Sequence, residues 1–246
     1  MLLKLNALPW PEVDALDRAK AVYLLPISAT EQHGLHLPLG TDDLILEAAL
    51  GALEGMEIPG EYLRLPTLHY GNSHEHLGYP GTLSLGCLTV ARIVEDVLKC
   101  MRQHGFQRLL IVNSHGGNTA LLQAYAQEWE AEFGIGIYNV NFWASDFFAD
   151  AQGVVETALA CDVHAGELET SLIMHIAPRL ARADAALRAD NNTGLDEYHP
   201  GWLTHQLSPG NGALGGASRA TAQKGERLFR YLCERLVSAL NAVSGS

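Results

Sequence analysis

Two uninterrupted apolar runs, Val22–Ile27 (VYLLPI) and Arg108–Asn113 (RLLIVN), constrain the fold of this chain most strongly. Neither alternates polar with apolar residues, so neither has a face to offer water, and strands of that kind must be covered on both sides. The segments between them have the helical period needed to do the covering. Cys87–His104 places Leu88, Ile93, Val94, Val97, Leu98 and Met101 on one stripe, and Gly105 follows as a stop signal. Further helices are expected near residues 11–20, over 42–53, Thr119–Phe133, Glu167–Ile176 and 221–243, with shorter strands at 61–68, limited by Pro66, and 135–140. This alternation predicts an α/β protein with a largely parallel sheet, in which ligands collect beyond the carboxyl ends of the strands.

Composition narrows the class. The 246 residues are 48% hydrophobic and 18% charged, enough for one sizeable core, and no repeat or linker divides residues 1–246 into more than one domain. A net charge of −12 argues against nucleic acid or an anionic membrane as partner. Cys87, Cys100, Cys161 and Cys233 form no CxxC pair, so neither a structural zinc site nor a disulfide framework is expected. With no apolar leader and no run approaching the ~18 residues of a membrane span, a cytoplasmic location is expected.

Chemistry concentrates where the predicted strands end. Just after the first apolar run, residues 31–42 hold Glu31, His33, His36 and Asp42, the imidazole and carboxylate donors that zinc, manganese or ferrous iron prefer. Glu31 and His33 are two apart and share a side of an extended segment, while Asp42 stands where loop becomes helix. The second run ends in Asn113-Ser114-His115-Gly116-Gly117-Asn118, a strand–turn–helix connection in which Asn118 is placed to cap the helix; an incidental histidine is the competing reading. A third cluster, Asp162, His164, Glu167 and Glu169, opens a helix, where acidic residues are also favoured by the helix dipole alone. Three residues apart, His164 and Glu167 would share a helical face. A fourth, residues 70–82, offers Ser73 and His76 as pocket-lining residues, with plain solvent-exposed loop histidines as the alternative. The glycine-rich stretch 211–219 lacks the Gly-Lys-Ser/Thr ending of a phosphate loop and reads as a substrate-facing loop or subunit contact. His69, His104, His175, His199 and His205 stand apart from these clusters.

Together, Glu31-Gln32-His33-Gly34 with Pro38 and Asp42, Pro80-Gly81-Thr82, the residues 113–118, His164 to Ser171 and the turn into 220–227 resemble the creatininase (creatinine amidohydrolase) family over nearly the whole chain. The resemblance implies a three-layer α/β/α sandwich, two divalent metal ions, C–N bond hydrolysis and a homo-oligomer, with hexamers among known members. It implies that Glu31, Asp42 and His115 hold one metal, and that His33 and a bridging Asp42 hold the other. Creatininase proper carries a glutamate two residues after the histidine matching His115, where this chain has Gly117. Glu167 is the candidate replacement, as ligand or general base, with Glu169 orienting a ligand from behind. The tryptophan shortly before the histidine matching His164 is also missing, which points away from creatinine and toward the wider branch: formamide hydrolases and the mycofactocin-precursor peptidase.

The expected reaction is attack of a metal-bridging hydroxide on an amide carbonyl, with His164 moving the proton to the leaving nitrogen. Substrate would be a small-molecule or peptide amide. A metallopeptidase of the mycofactocin-precursor type and a metal-assisted phosphoester hydrolase are the alternatives; Arg219 is the only basic residue in the implicated loops to meet a phosphate.

Overall fold

The computed structural model of the protein describes residues 1–144, 147–151, 153–195 and 199–245. In chain order they form β1 (Leu2–Lys4), α1 (Trp10–Asp14), β2 (Val22–Ile27), α2 (Thr41–Leu53), β3 (Tyr62–Arg64), α3 (Cys87–His104), β4 (Arg108–Asn113), α4 (Thr119–Phe133), β5 (Gly136–Asn141), α5 (Glu167–Ile176), α6 (Ala183–Ala186), α7 (Thr204–Leu207) and α8 (Ala222–Gly245). The strands make one sheet in the order β1-β3-β2-β4-β5, and each adjacent pair is parallel.

Both apolar runs are central strands. Every residue of β2 is buried, and its side chains alternate between two cores. Val22 and Leu24 join Leu110 and Val112 under α2, α5 and α8. Tyr23, Leu25 and Ile27 join Leu109 and Ile111 under α3 and α4. The result is an α/β/α sandwich. Pro26 is tolerated inside β2 because the Leu68 N–H reaches the Pro26 carbonyl on the β3 side, where β3 has already ended at Arg64. The missing Pro26 N–H therefore faces no ladder partner.

Helix α3 buries Val90, Ala91, Val94, Leu98 and Met101, each burial contributing about 1–3 kcal/mol. It ends on Gly105 at φ 82°, whose N–H returns to the Arg102 and Met101 carbonyls. Three expectations change. The strand expected over 61–68 is only Tyr62–Arg64. The first helix is only Trp10–Asp14, because Asp17 accepts the Ala19 N–H (3.1 Å) and turns the chain instead. Strand β1 had no sequence signal: three residues are too few to show a period, and it is held by pairing with β3.

The order of strands creates the site. From β2 the chain moves to β3 on one side, then crosses to β4 on the other. The carboxyl ends of β2 and β4 thus splay around one crevice. No helix among the described residues is long and apolar enough to cross a membrane.

Candidate metal centre

The exits of β2 and β4 are tied together before they diverge, as the Ser114 N–H donates to the Ile27 carbonyl (3.0 Å). Asn113, wholly buried, then shapes the second exit: its Nδ2 donates to the His115 carbonyl (2.7 Å) and its Oδ1 accepts from Asn118 Nδ2 (3.1 Å). Asn118 stands at the N-cap of α4 yet makes no capping bond. Its Oδ1 accepts the Asn72 N–H (2.9 Å), which draws the residue 70–76 loop onto the crevice.

Glu31, His33, Asp42 and His115 meet there, each no more than 3% exposed. His115 Nδ1 lies 3.4 Å from Glu31 Oε2 and 3.3 Å from Asp42 Oδ2. On the other side of the same carboxylate, His33 Nε2 lies 3.6 Å from Asp42 Oδ1 and 3.7 Å from Glu169 Oε1. Asp42 therefore presents one oxygen to each of two adjoining groups. Helix α2 carries it in its first turn, where the exposed backbone N–H groups favour a carboxylate.

Ring protons are assigned through the partners of the ring nitrogens. His33 Nδ1 donates to the Glu31 carbonyl (3.2 Å), His115 Nε2 to the Asn72 carbonyl (2.7 Å) and His164 Nε2 to the Gln32 carbonyl (2.7 Å). A carbonyl only accepts, so each ring in its neutral form turns its other nitrogen, a lone pair, toward the centre. Glu31 Oε2, His33 Nε2 and Asp42 Oδ2 are buried without a hydrogen-bond partner. Orphaned acceptors in such number are costly unless a cation meets them. The residues present fit two divalent cations, one among Glu31, Asp42 and His115, the other among His33, Asp42 and Glu169.

Glu167 is not part of this cluster, contrary to the expectation from sequence. Its carboxylate is wholly buried elsewhere, accepting from the Glu156 and Thr157 N–H groups (3.0 and 2.7 Å), the Thr157 hydroxyl (2.7 Å) and Lys224 Nζ (2.5 Å). Residue 165 explains the error. Ala165 sits at φ 50°, so α5 begins only at Glu167 and the i, i+3 relation between His164 and Glu167 never forms. Two residues apart on a helix, Glu167 and Glu169 diverge by about 200°. Glu169 is the one facing the crevice, with Oε2 accepting the Ala165 N–H and Oε1 free to meet His33. Asp162, whose carboxylate takes the Glu167 and Leu168 N–H groups (2.7 and 2.8 Å), anchors that helix start; burial raises its pKa to about 6.

The remaining expectations divide. Ser73 stands behind His115, its hydroxyl 3.3 Å from Nε2, and is not among the residues lining the cavity. His76 does line it, with Nε2 3.4 Å from Glu31 Oε1 and its ring stacked on His164 at 4.1 Å. The stretch 211–219 does not line the cavity: Ala213, Leu214 and Ala217 are buried, Leu214 forms a single antiparallel bridge with His164, and Arg219 at its end is exposed. His36 turns away to Thr170 Oγ1 (2.8 Å).

Charge follows the geometry. Burial opposes protonation of His33, but Asp42 and Glu169 outweigh it and hold its pKa well above the ordinary imidazole value. Burial likewise opposes, and Glu31 and Asp42 overcome, at His115. A field that attracts protons onto buried imidazoles attracts divalent cations equally. His164 and His76 are pushed the other way by burial and by neighbouring imidazoles.

Above the cluster lies a cavity of about 320 Å3. Its lining combines the apolar side chains of Trp143, Phe148, Leu159, Leu168 and Trp202 with the carboxyl groups of Asp162 and of Glu75, which the sequence reading missed. No Lys or Arg is among the described lining residues.

An all-parallel α/β sheet with buried carboxylates and imidazoles at its carboxyl edge defines a class of proteins able to hold divalent metal. The family model described as creatininase, creatinine amidohydrolase, matches residues 6–240. The mycofactocin precursor peptide peptidase of Mycolicibacterium smegmatis is 32% identical over 211 residues, covering 84% of this chain and 78% of that protein. The creatinine amidohydrolase of Pseudomonas putida is 29% identical over 250 residues, covering 95% and 94%. A solved structure of a mutant creatininase superposes with a TM-score of 0.82 over all of both chains, at 25% identity. The chain belongs to the creatininase family, hydrolytic enzymes acting on C–N bonds.

Proposed function

We propose that the protein is a metal-dependent amidohydrolase that cleaves an amide or formamide C–N bond of a small molecule or peptide. The observation that carries this reading is the set of buried atoms without a hydrogen-bond partner, Glu31 Oε2 and Asp42 Oδ2 facing His115 Nδ1 and His33 Nε2 facing the other oxygen of Asp42. Two divalent cations of the zinc, manganese or ferrous iron class, held by Glu31, Asp42 and His115 and by His33, Asp42 and Glu169, would supply an activated water and polarise the amide carbonyl.

The chain's own groups do the rest. His164 is fixed by the Gln32 carbonyl with Nδ1 toward the cavity, 3.7 Å from Glu31 Oε1. Kept neutral by burial, it accepts a proton as the carbonyl is attacked and returns it to the departing nitrogen. The apolar lining of Trp143, Phe148 and Leu159 excludes water and holds the organic part of the substrate. Cleavage of a peptide rather than a small amide is a second reading, favoured by the peptidase relative. Phosphoester hydrolysis is disfavoured by a lining without basic residues among those described. A cytoplasmic homo-oligomer belongs to the same reading; Trp10, 77% exposed, offers apolar surface for association.

The test is elemental analysis after loading with zinc, manganese or ferrous iron, followed by a panel of formamides, cyclic amides and short peptides. About two metals per chain and amine release on at least one substrate are expected. A chain that binds no metal and cleaves none of them would end the proposal.

A further inference from the structure

Four imidazoles surround the buried carboxylates of Glu31 and Asp42, and one is turned unlike the others. Gln32, 5% exposed, lies between His76 and His164. Its side-chain Oε1 accepts the Gly34 N–H (2.9 Å), and its Nε2 donates to the Gly212 carbonyl (3.0 Å). These two backbone groups, one a donor and one an acceptor, admit a single orientation of the amide. Nε2 also lies 3.0 Å from His164 Nε2, but that nitrogen carries the proton it gives to the Gln32 main-chain carbonyl (2.7 Å) and accepts none, so the second Nε2 hydrogen points at His76 Nδ1, 2.9 Å away. His76 Nδ1 also meets the Thr204 hydroxyl at 2.6 Å, and Thr204 is wholly buried on α7. A ring nitrogen that receives an amide N–H carries no proton itself, so the His76 proton resides on Nε2, the atom facing Glu31 and the cavity. His33, His115 and His164 present lone pairs there; His76 presents an N–H.

Resting on the amidohydrolase reading above, we infer that His76 is a hydrogen-bond donor to the substrate's carbonyl oxygen rather than a metal ligand, and that Gln32 with Thr204 is the device that holds it so. Glu31, His76 and His164 converge closely enough to suggest a third ligand trio. A metal needs a lone pair, however, and Nε2 of His76 has none while Gln32 and Thr204 occupy Nδ1. A fixed donor aimed where negative charge develops on an acyl oxygen is what amide hydrolysis needs. The same residue sets its neighbour oppositely: the Gln32 main-chain carbonyl takes the Nε2 proton of His164 (2.7 Å) and leaves Nδ1 as acceptor. One residue thereby gives two stacked rings complementary roles.

Full-length protein labelled with 15N-histidine tests this directly, because long-range 1H–15N correlations distinguish the two neutral tautomers. In the zinc-loaded protein the His76 ring, identified by its absence from a His76→Phe spectrum, is expected as Nε2–H. In Gln32→Glu, where a carboxylate replaces the amide donor, it is expected to change to Nδ1–H or to the doubly protonated ring. Gln32→Met, which removes the donor without adding charge, should broaden or mix the tautomers. An Nδ1–H ring in the native protein, a zinc-shifted Nε2, or a tautomer unmoved in both variants would overturn the assignment. The substrate-facing role is read with acetohydroxamic acid as the amide mimic: His76→Phe should keep its zinc and bind the hydroxamate at least tenfold more weakly. Equal affinity would remove that role. If the native protein binds no zinc, the function proposed above fails, and the tautomer in zinc-free protein still decides this inference.

Discussion

His115 Nδ1 and Asp42 Oδ2 face each other across 3.3 Å, and in the neutral ring, whose one proton goes to the Asn72 carbonyl, each side presents a lone pair. Nothing in the packing forces the contact, since His115 is held from behind by the Asn72 carbonyl and Asp42 by the first turn of α2. Two acceptors held so close make sense around a cation. Replacing Asp42 by Ala should therefore empty both positions, because each relies on one of its oxygens. Elemental analysis is expected to fall from about two metals per chain toward none, with amide hydrolysis lost alongside. Full metal content in that variant would refute the shared carboxylate.

Chelation should destabilise the protein without unfolding it. Glu31, Asp42 and Glu169 then share a buried space with no divalent counter-charge. A ligand present at a hundredfold over its Kd stabilises by about 2.7 kcal/mol. For a chain of this length that is about 5–10 °C in Tm. Thermal melts with and without chelator, followed by metal add-back, measure it.

Glu167 and Glu169 should separate cleanly. Glu169→Gln is expected to lose one cation and nearly all activity, with a Tm lowered no further than chelation lowers it. Glu167→Gln should keep both cations but lose stability, as Lys224 then pairs with the exposed Glu156 carboxylate alone; losing a charge-assisted hydrogen bond of this kind costs about 1–3 kcal/mol. The pair also predicts a pH dependence. Burial raises the Glu167 pKa, but Lys224 and the Glu156 and Thr157 donors outweigh it and leave it below the ordinary value. Its stabilisation is present at neutral pH and is lost as pH falls below the usual glutamate range of about 4.3 and through the lowered native value. Denaturant melts of wild type and Lys224→Met should converge as pH falls through that window.

Much of this was legible in the chain. Six-residue apolar strands and the stripe of α3 carry a period strong enough to read without context, and Glu31, His33, Asp42 and His115 follow directly on the strands that aim them. The errors share a cause. Assigning Glu167 to the crevice assumed that the helix was already running at His164, whereas Ala165 in the left-handed region delays its start. No residue type announces that, since glycine is the ordinary occupant of such a conformation. Glu75 and Ser73 were misjudged because their roles depend on which side of His115 the 70–76 loop passes, a tertiary fact fixed by Asn118.

Gly117→Ala is expected to be far more damaging than its size suggests. A Cβ there would stand 2.2 Å from the Asn72 carbonyl oxygen and 2.6 Å from His115 Nε2, dislodging the group that orients this imidazole. Loss of His115-side metal, seen as about one cation per chain, with a lowered Tm is the anticipated result; a variant with native metal content would show that the loop yields.

That crowding has an evolutionary consequence. With the Asn72 carbonyl and His115 pressed against position 117, no side chain larger than glycine enters there unless the 70–76 loop takes another path, so a change at this position must be accompanied by a change in that loop.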